Sequence, residues 1–129
     1  MIYLYILFLV VINLRGENKM ERIYNKLVRD NIPSIIKGNG ATPITRILNE
    51  EEYKKELEKK LYEEYNEVLE ASGEDRVEEL ADMIEVIKYL AKLEGKKLED
   101  VIKTADEKST KRGAFNDKIF LEKVLDEDK

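Results

Sequence analysis

Through the middle of the chain, apolar residues recur at three- and four-residue steps, the period of helices with one buried side. Over 49–71, Tyr53, Leu57, Leu61, Tyr65, Val68 and Leu69 make one such stripe. Asn49 supplies an N-cap, and Glu50, Glu51 and Glu52 sit where the positive end of the helix dipole favours them. Ser72-Gly73 breaks the pattern and Asp75 offers a new cap. A second helix, to about residue 94, places Val77, Leu80, Ala81, Ile84, Ile87, Leu90 and Ala91 on an inner face before Gly95 ends it. A third, over 98–111, carries Leu98, Val101, Ile102 and Ala105, and Gly113 closes it.

The flanks carry weaker patterns. Residues 25–37 predict a short helix with its cap inside, at Asp30 or Asn31, with Pro33 in the first turn and Ile35 and Ile36 as apolar contacts. Gly38-Asn39-Gly40 stops it. Residues 42–48, β-branched around Pro43, predict an extended connector or a short strand. Beyond Gly113, Phe115, Ile119, Phe120, Leu121, Val124 and Leu125 predict a tail that packs back on the body before an acidic end.

Residues 1–19 do not match the rest. The apolar run is roughly 13 residues long, against the ~20 needed to span a bilayer, and it lacks a basic n-region and a small-residue cleavage site. Met20 directly precedes the globular pattern and is expected to be the natural start, with 1–19 outside the fold and 20–129 one domain. The alternative is a short membrane-associating anchor whose far end, with Arg15 and Lys19, stays on the cytoplasmic side. Either way the folded part is expected in the cytoplasm.

Two helices joined by so short a turn are antiparallel neighbours. The resulting expectation is an all-α fold. One hairpin cannot bury both its faces, and the second helix is apolar over a wide arc. A homodimer or higher homo-oligomer completing a four-helix-bundle core is therefore expected, against a monomer whose outer helices cover the hairpin.

Composition narrows the chemistry. A net charge of −5 argues against a general nucleic-acid surface. The chain has no cysteine and no histidine. That removes disulfides, thiolate or histidine metal sites, a cysteine nucleophile and the Ser-His-Asp triad. Any catalysis falls to carboxylates, lysines, arginines, hydroxyls and a metal.

Two acidic words then stand out, Glu64-Tyr-Asn-Glu67 and Glu79-Leu-Ala-Asp82. Each puts two carboxylates side by side on a helix surface. Most other acids, such as those in 50–56 among Lys54, Lys55, Lys59 and Lys60, fit a solvated helix face. At about 100° per residue, Glu64 and Glu79 project inside the apolar arcs of their helices. Glu67 and Asp82 fall at the margins, while Glu63, Glu70, Glu78 and Glu85 point outward. A buried carboxylate needs a partner, and the inner faces offer no lysine matching both pairs. A hard divalent cation, Mg²⁺ with Mn²⁺ as the alternative, suits four such oxygens.

Glu63-Glu64-x-x-Glu67 with Glu79-x-x-Asp82, on two helices of one hairpin, resembles the MazG-like all-α nucleoside triphosphate pyrophosphohydrolases. Asn25-Lys-Leu-Val-Arg-Asp-Asn-Ile-Pro33, Lys111-Arg-Gly-Ala-Phe115 and Ile119-Phe-Leu-Glu122 are similar to flanking words of a small house-cleaning branch of that superfamily. The resemblance covers residues 24–124. Relatives include phosphoribosyl-ATP pyrophosphohydrolase of histidine biosynthesis and the dimeric dUTPases. The resemblance implies hydrolysis of a nucleotide between its α- and β-phosphates, to a monophosphate and pyrophosphate. Glu64, Glu67, Glu79 and Asp82 match the family's Mg²⁺ ligands, and one of them or Glu63 would accept the proton of the attacking water. The triphosphate needs positive contacts, for which Lys26, Arg29, Lys108, Lys111 and Arg112 are the candidates. Asp30 either orients Arg29 or caps a helix, and Tyr65 and Tyr89 are expected in the core rather than stacked on a base. A phosphoribosyl-ATP substrate is the alternative within this chemistry, and a non-catalytic helical dimerisation module the alternative outside it.

Overall fold

A computed structural model describes residues 20–128. The expectation for 1–19 lies outside them. Four helices and no strand occur among the described residues: α1 (Ile32–Gly38), α2 (Glu50–Glu70), α3 (Gly73–Leu93) and α4 (Leu98–Arg112). None is long and apolar enough to cross a membrane.

Local chemistry sets the ends of these helices. Asn49 and Glu52 form a capping box at the start of α2: the Asn49 Oδ1 accepts from the Glu52 N–H at 2.8 Å, and the Glu52 carboxylate accepts from the Asn49 N–H at 3.4 Å. Asn49→Ala is expected to cost about 1 kcal/mol and to lower the thermal midpoint by about 5 °C in a scanning calorimeter. Helices α1 and α3 both end in a glycine-dependent motif. The N–H of Ala41 bonds the Ile36 carbonyl and that of Gly40 the Lys37 carbonyl; Lys96 and Gly95 bond Ala91 and Lys92 in the same way. Gly40 at φ +89° and Gly95 at φ +72° occupy the left-handed position this motif requires.

Two boundaries depart from expectation. The first helix begins only at Ile32, where Pro33 fits the first turn, and Asn31 makes no side-chain cap bond. Helix α3 starts at Gly73, so Asp75 lies in its first turn instead of capping it. Residues 42–48 are a connector and not a strand, and no backbone hydrogen bond joins them to another described segment.

Helices α2 and α3 pack along each other, and among the described helices α4 touches only α3. With Ala71 and Ser72 as the connection, counting outward from the turn brings Glu64 opposite Glu79 and Leu57 opposite Val86. Leu57, Val68, Val86 and Ala91 are the buried apolar residues among those described. So small a core reflects what the hairpin leaves uncovered. Tyr62, Tyr65 and Leu69 on α2 and Val77, Leu80 and Ile84 on α3 are exposed, although Tyr65, Leu69 and the α3 residues belong to the predicted inner faces. The line of α3 that meets α2 runs through Glu79 and Val86, at one edge of its wide apolar arc. Both exposed stripes are displaced from the buried line in the same rotational sense. Antiparallel neighbours related by a local twofold therefore carry them on the same side of the hairpin. The tail departs further: residues 113–128 are exposed throughout and do not pack back on the body.

Candidate metal centre

Three carboxylates meet where α2 and α3 face each other. One oxygen from each of Glu64, Glu79 and Asp82 lies within 4.8 Å of the others. The register explains the meeting: Glu64 and Glu79 stand level across the hairpin, and Asp82 stands one helical turn farther from the connection. Glu67 lies one turn nearer the connection than Glu64. With a 1.5 Å rise per residue, Glu67 and Asp82 are about 9 Å apart along the axis, flanking the central pair from opposite ends. Glu67 is thus outside the tight trio, although its charge still helps to raise the pKa of Glu79.

Burial is severe for the central pair. Glu79 is 2% exposed and Glu64 7%. Desolvation, the charge of Asp82 and the proximity of Glu79 push the Glu64 carboxyl up to about 7, against an opposing pull from Lys60. Glu79 is likewise raised, chiefly by desolvation, with Asp82 and Glu67 adding to it. A hydrogen bond between Glu64 and Glu79 favours the proton on Glu64. The Oε2 of Glu79 is buried with no hydrogen-bond partner among the described residues. A native fold rarely leaves such an atom unpaired.

Among the described residues, cations reach the rim of this cluster but not its centre. Arg29 donates from Nη2 to Asp82 Oδ1 at 2.7 Å and lies 3.9 Å from Glu85. Lys26 pairs with Glu63. Lys60 stands 3.9 Å from Glu63 and 4.0 Å from Glu64. Glu63, Glu67, Asp82 and Glu85 are all displaced from the buried line in the sense opposite to the apolar stripes. The acidic site therefore opens on the side where Lys26 and Arg29 lie, away from the bare apolar face.

Each predicted site residue now has a place. Glu64, Glu79 and Asp82 converge, Glu67 borders them, and Glu63 is held by Lys26 and Lys60 at the rim. Lys26 and Arg29, distant in sequence, come to the cluster. Lys108, Lys111 and Arg112 lie on the exposed last turns of α4, and none of the ion pairs among the described residues links them to it. Asp30 does not hold Arg29, which turns to Asp82 and Glu85 instead. Tyr89 is half-buried with Lys88 and Lys92 beside its ring, while Tyr65 lies on the bare face. Lys60 is the site residue that patterning misses, because it lies among the lysines of a solvated helix face. Its signal is angular: it falls between Tyr53 and Glu67 in projection, at the same margin as the site, and four residues before Glu64.

An uncharacterized protein of Mycolicibacterium smegmatis is 44% identical over 50 residues, covering 39% of this chain and 51% of its own length. The chain thus spans about half of that relative. No protein-family model matches the chain, and no solved structure matches it.

Proposed function

We propose that this protein is a Mg²⁺-dependent nucleotide pyrophosphohydrolase of the MazG-like kind, acting on noncanonical nucleotides in the cytoplasm. The observation that carries the proposal is the buried, unpartnered Glu79 oxygen between Glu64 and Asp82. Such an atom calls for a cation, and an all-carboxylate donor set fits a hard one, Mg²⁺ or Mn²⁺. Glu64, Glu79 and Asp82 would hold it, with Glu67 at the margin completing the set when the side chains adjust. When bound, the ion neutralises phosphate oxygens and lowers the pKa of water.

The remaining work falls to the chain. Arg29 and Lys26, on the open side of the cluster, offer donors to the phosphate oxygens of a nucleotide entering there, exchanging their carboxylate partners for the substrate. Water attacks the α-phosphorus, the bond to the α–β bridging oxygen breaks, and pyrophosphate leaves. Glu63 and Glu67, outside the tight trio, are the carboxylates left to take the proton of that water.

The test is pyrophosphate release from a panel of canonical and noncanonical nucleoside triphosphates and phosphoribosyl-ATP, with and without Mg²⁺ or Mn²⁺. Arg29→Gln is expected to raise KM at least about tenfold, with a smaller change in kcat. Cleavage of phosphoribosyl-ATP alone would assign the alternative substrate. Absence of any metal-dependent cleavage would leave the second proposal, a helical dimerisation module, which the bare face of α2 and α3 favours. In either case the proposed assembly is a homodimer or higher homo-oligomer in which that face completes a four-helix core.

A further inference from the structure

The segment after Gly113 is built as though something surrounds it. Phe115 is 98% exposed, Phe120 86% and Ile119 84%, and Leu121, Val124 and Leu125 are exposed as well. Ile119-Phe120-Leu121 is an uninterrupted apolar run in water, a pattern that a soluble surface avoids unless it serves an interface. Among the described residues, none of 114–128 makes a hydrogen bond or an ion pair. Yet its backbone takes a specific path, with a turn at Asn116 and Asp117 and a left-handed Lys118 at φ +57°. A non-glycine residue holds that conformation at a cost, and usually where neighbouring structure imposes it. Nothing among the described residues supplies that structure.

We propose that residues 113–128 are an exchanged arm, which leaves its own chain and seats Phe115, Ile119, Phe120 and Leu121 on a second copy of this chain beside the hairpin contact. The inference rests on the homodimer proposed above and is independent of the hydrolytic activity. Area selects a second copy as the occupant. The bare hairpin face offers roughly 600 Å² of apolar side chain per copy, so hairpin on hairpin alone buries about 1,200 Å², the lower bound for a stable complex. The arms add roughly 900 Å² per copy. The total reaches about 3,000 Å², the range of obligate homodimers and a match for a chain whose own core is so small. A twofold exchange makes the arm contact twice and pairs the two hairpin faces, so a single type of partner covers both exposed surfaces.

Two measurements on the full chain test this. In analytical ultracentrifugation, Phe115→Ser with Phe120→Ser is expected to raise the dimer dissociation constant at least about a hundredfold. Both side chains are almost fully exposed and lie outside the helices, so helical content measured by circular dichroism should not change. In the second measurement, a photo-crosslinking benzoylphenylalanine replaces Phe120 in a tagged chain, which is mixed with an untagged chain. Covalent tagged–untagged dimers are the expected product. A variant that dimerises as tightly as the parent, or cross-links confined to one chain, would overturn the arm and leave the hairpin dimer standing. A parent chain that is monomeric at all concentrations would overturn both. A chain that dimerises through its arm but cleaves no nucleotide keeps the arm and loses the enzymatic proposal.

Discussion

Glu79→Gln is expected to lower Mg²⁺-dependent pyrophosphate release at least about a hundredfold while making the metal-free protein more stable. The two effects come from one cause. Glu79 sits level with Glu64 in the hairpin interior, nearly sealed from water, beside the charge of Asp82 and with its Oε2 unpaired. Without a cation, that carboxylate carries desolvation and repulsion that an amide of the same shape avoids. Relief of about 1–3 kcal/mol corresponds to a rise of roughly 5–15 °C in the melting temperature of a domain this size. Calorimetry in EDTA at pH 8, where the carboxylates are most charged, measures the gain, and a pyrophosphate assay measures the loss. Asp82→Asn provides the contrast. Asp82 is paired with Arg29, so its removal should lower activity without the stability gain. A Glu79→Gln protein with unchanged activity would sink the proposed site.

Metal-free protein is also expected to lose about 2–3 kcal/mol of stability between pH 5 and pH 8 through Glu64 alone. The sign follows from the shift. The folded-state pKa of Glu64 is raised to about 7, above the ordinary carboxyl value of 4.5. A group raised in this way contributes its full stability below the unfolded pKa and loses it as pH climbs through the folded one. Divalent cations bind the deprotonated form, so Mg²⁺ affinity should rise over the same interval and level off above about pH 7. Thermal melts at several pH values, with EDTA and with saturating Mg²⁺, check both statements. The EDTA series should fall with pH and the Mg²⁺ series should not. A flat EDTA profile would show that Glu64 is not the titrating group.

Caps and glycines make much of the fold legible in the sequence. Asn49 with Glu52, Gly95 and Gly113 mark helix ends because their chemistry is local: each satisfies or terminates backbone groups within a few residues. Projection of the acidic words was equally informative. It placed Glu64 and Glu79 among apolar neighbours, and both are buried. Periodicity failed on α3, where it defined a wide apolar arc without saying which edge would meet α2. Val77, Leu80 and Ile84 lie on the open edge, and no pattern within the helix could have distinguished them from Val86. The tail misled for a related reason. Apolar composition shows that a segment needs a partner, but it does not show whether that partner is its own chain.

The sequence by itself determined the helices, their antiparallel pairing and the two acidic words, because propensity, capping and the i,i+3 relation act over a few residues. Only the tertiary structure decided how those words meet. Register across the hairpin set Glu64 against Glu79, drew in Asp82 and left Glu67 on the far side of the pair. It also brought Lys26 and Arg29 to the rim from a segment far upstream and gave one side of the hairpin to the acidic site and the other to a bare apolar face. These outcomes depend on the packing of elements distant in sequence, where the energies that choose between neighbours are no longer local.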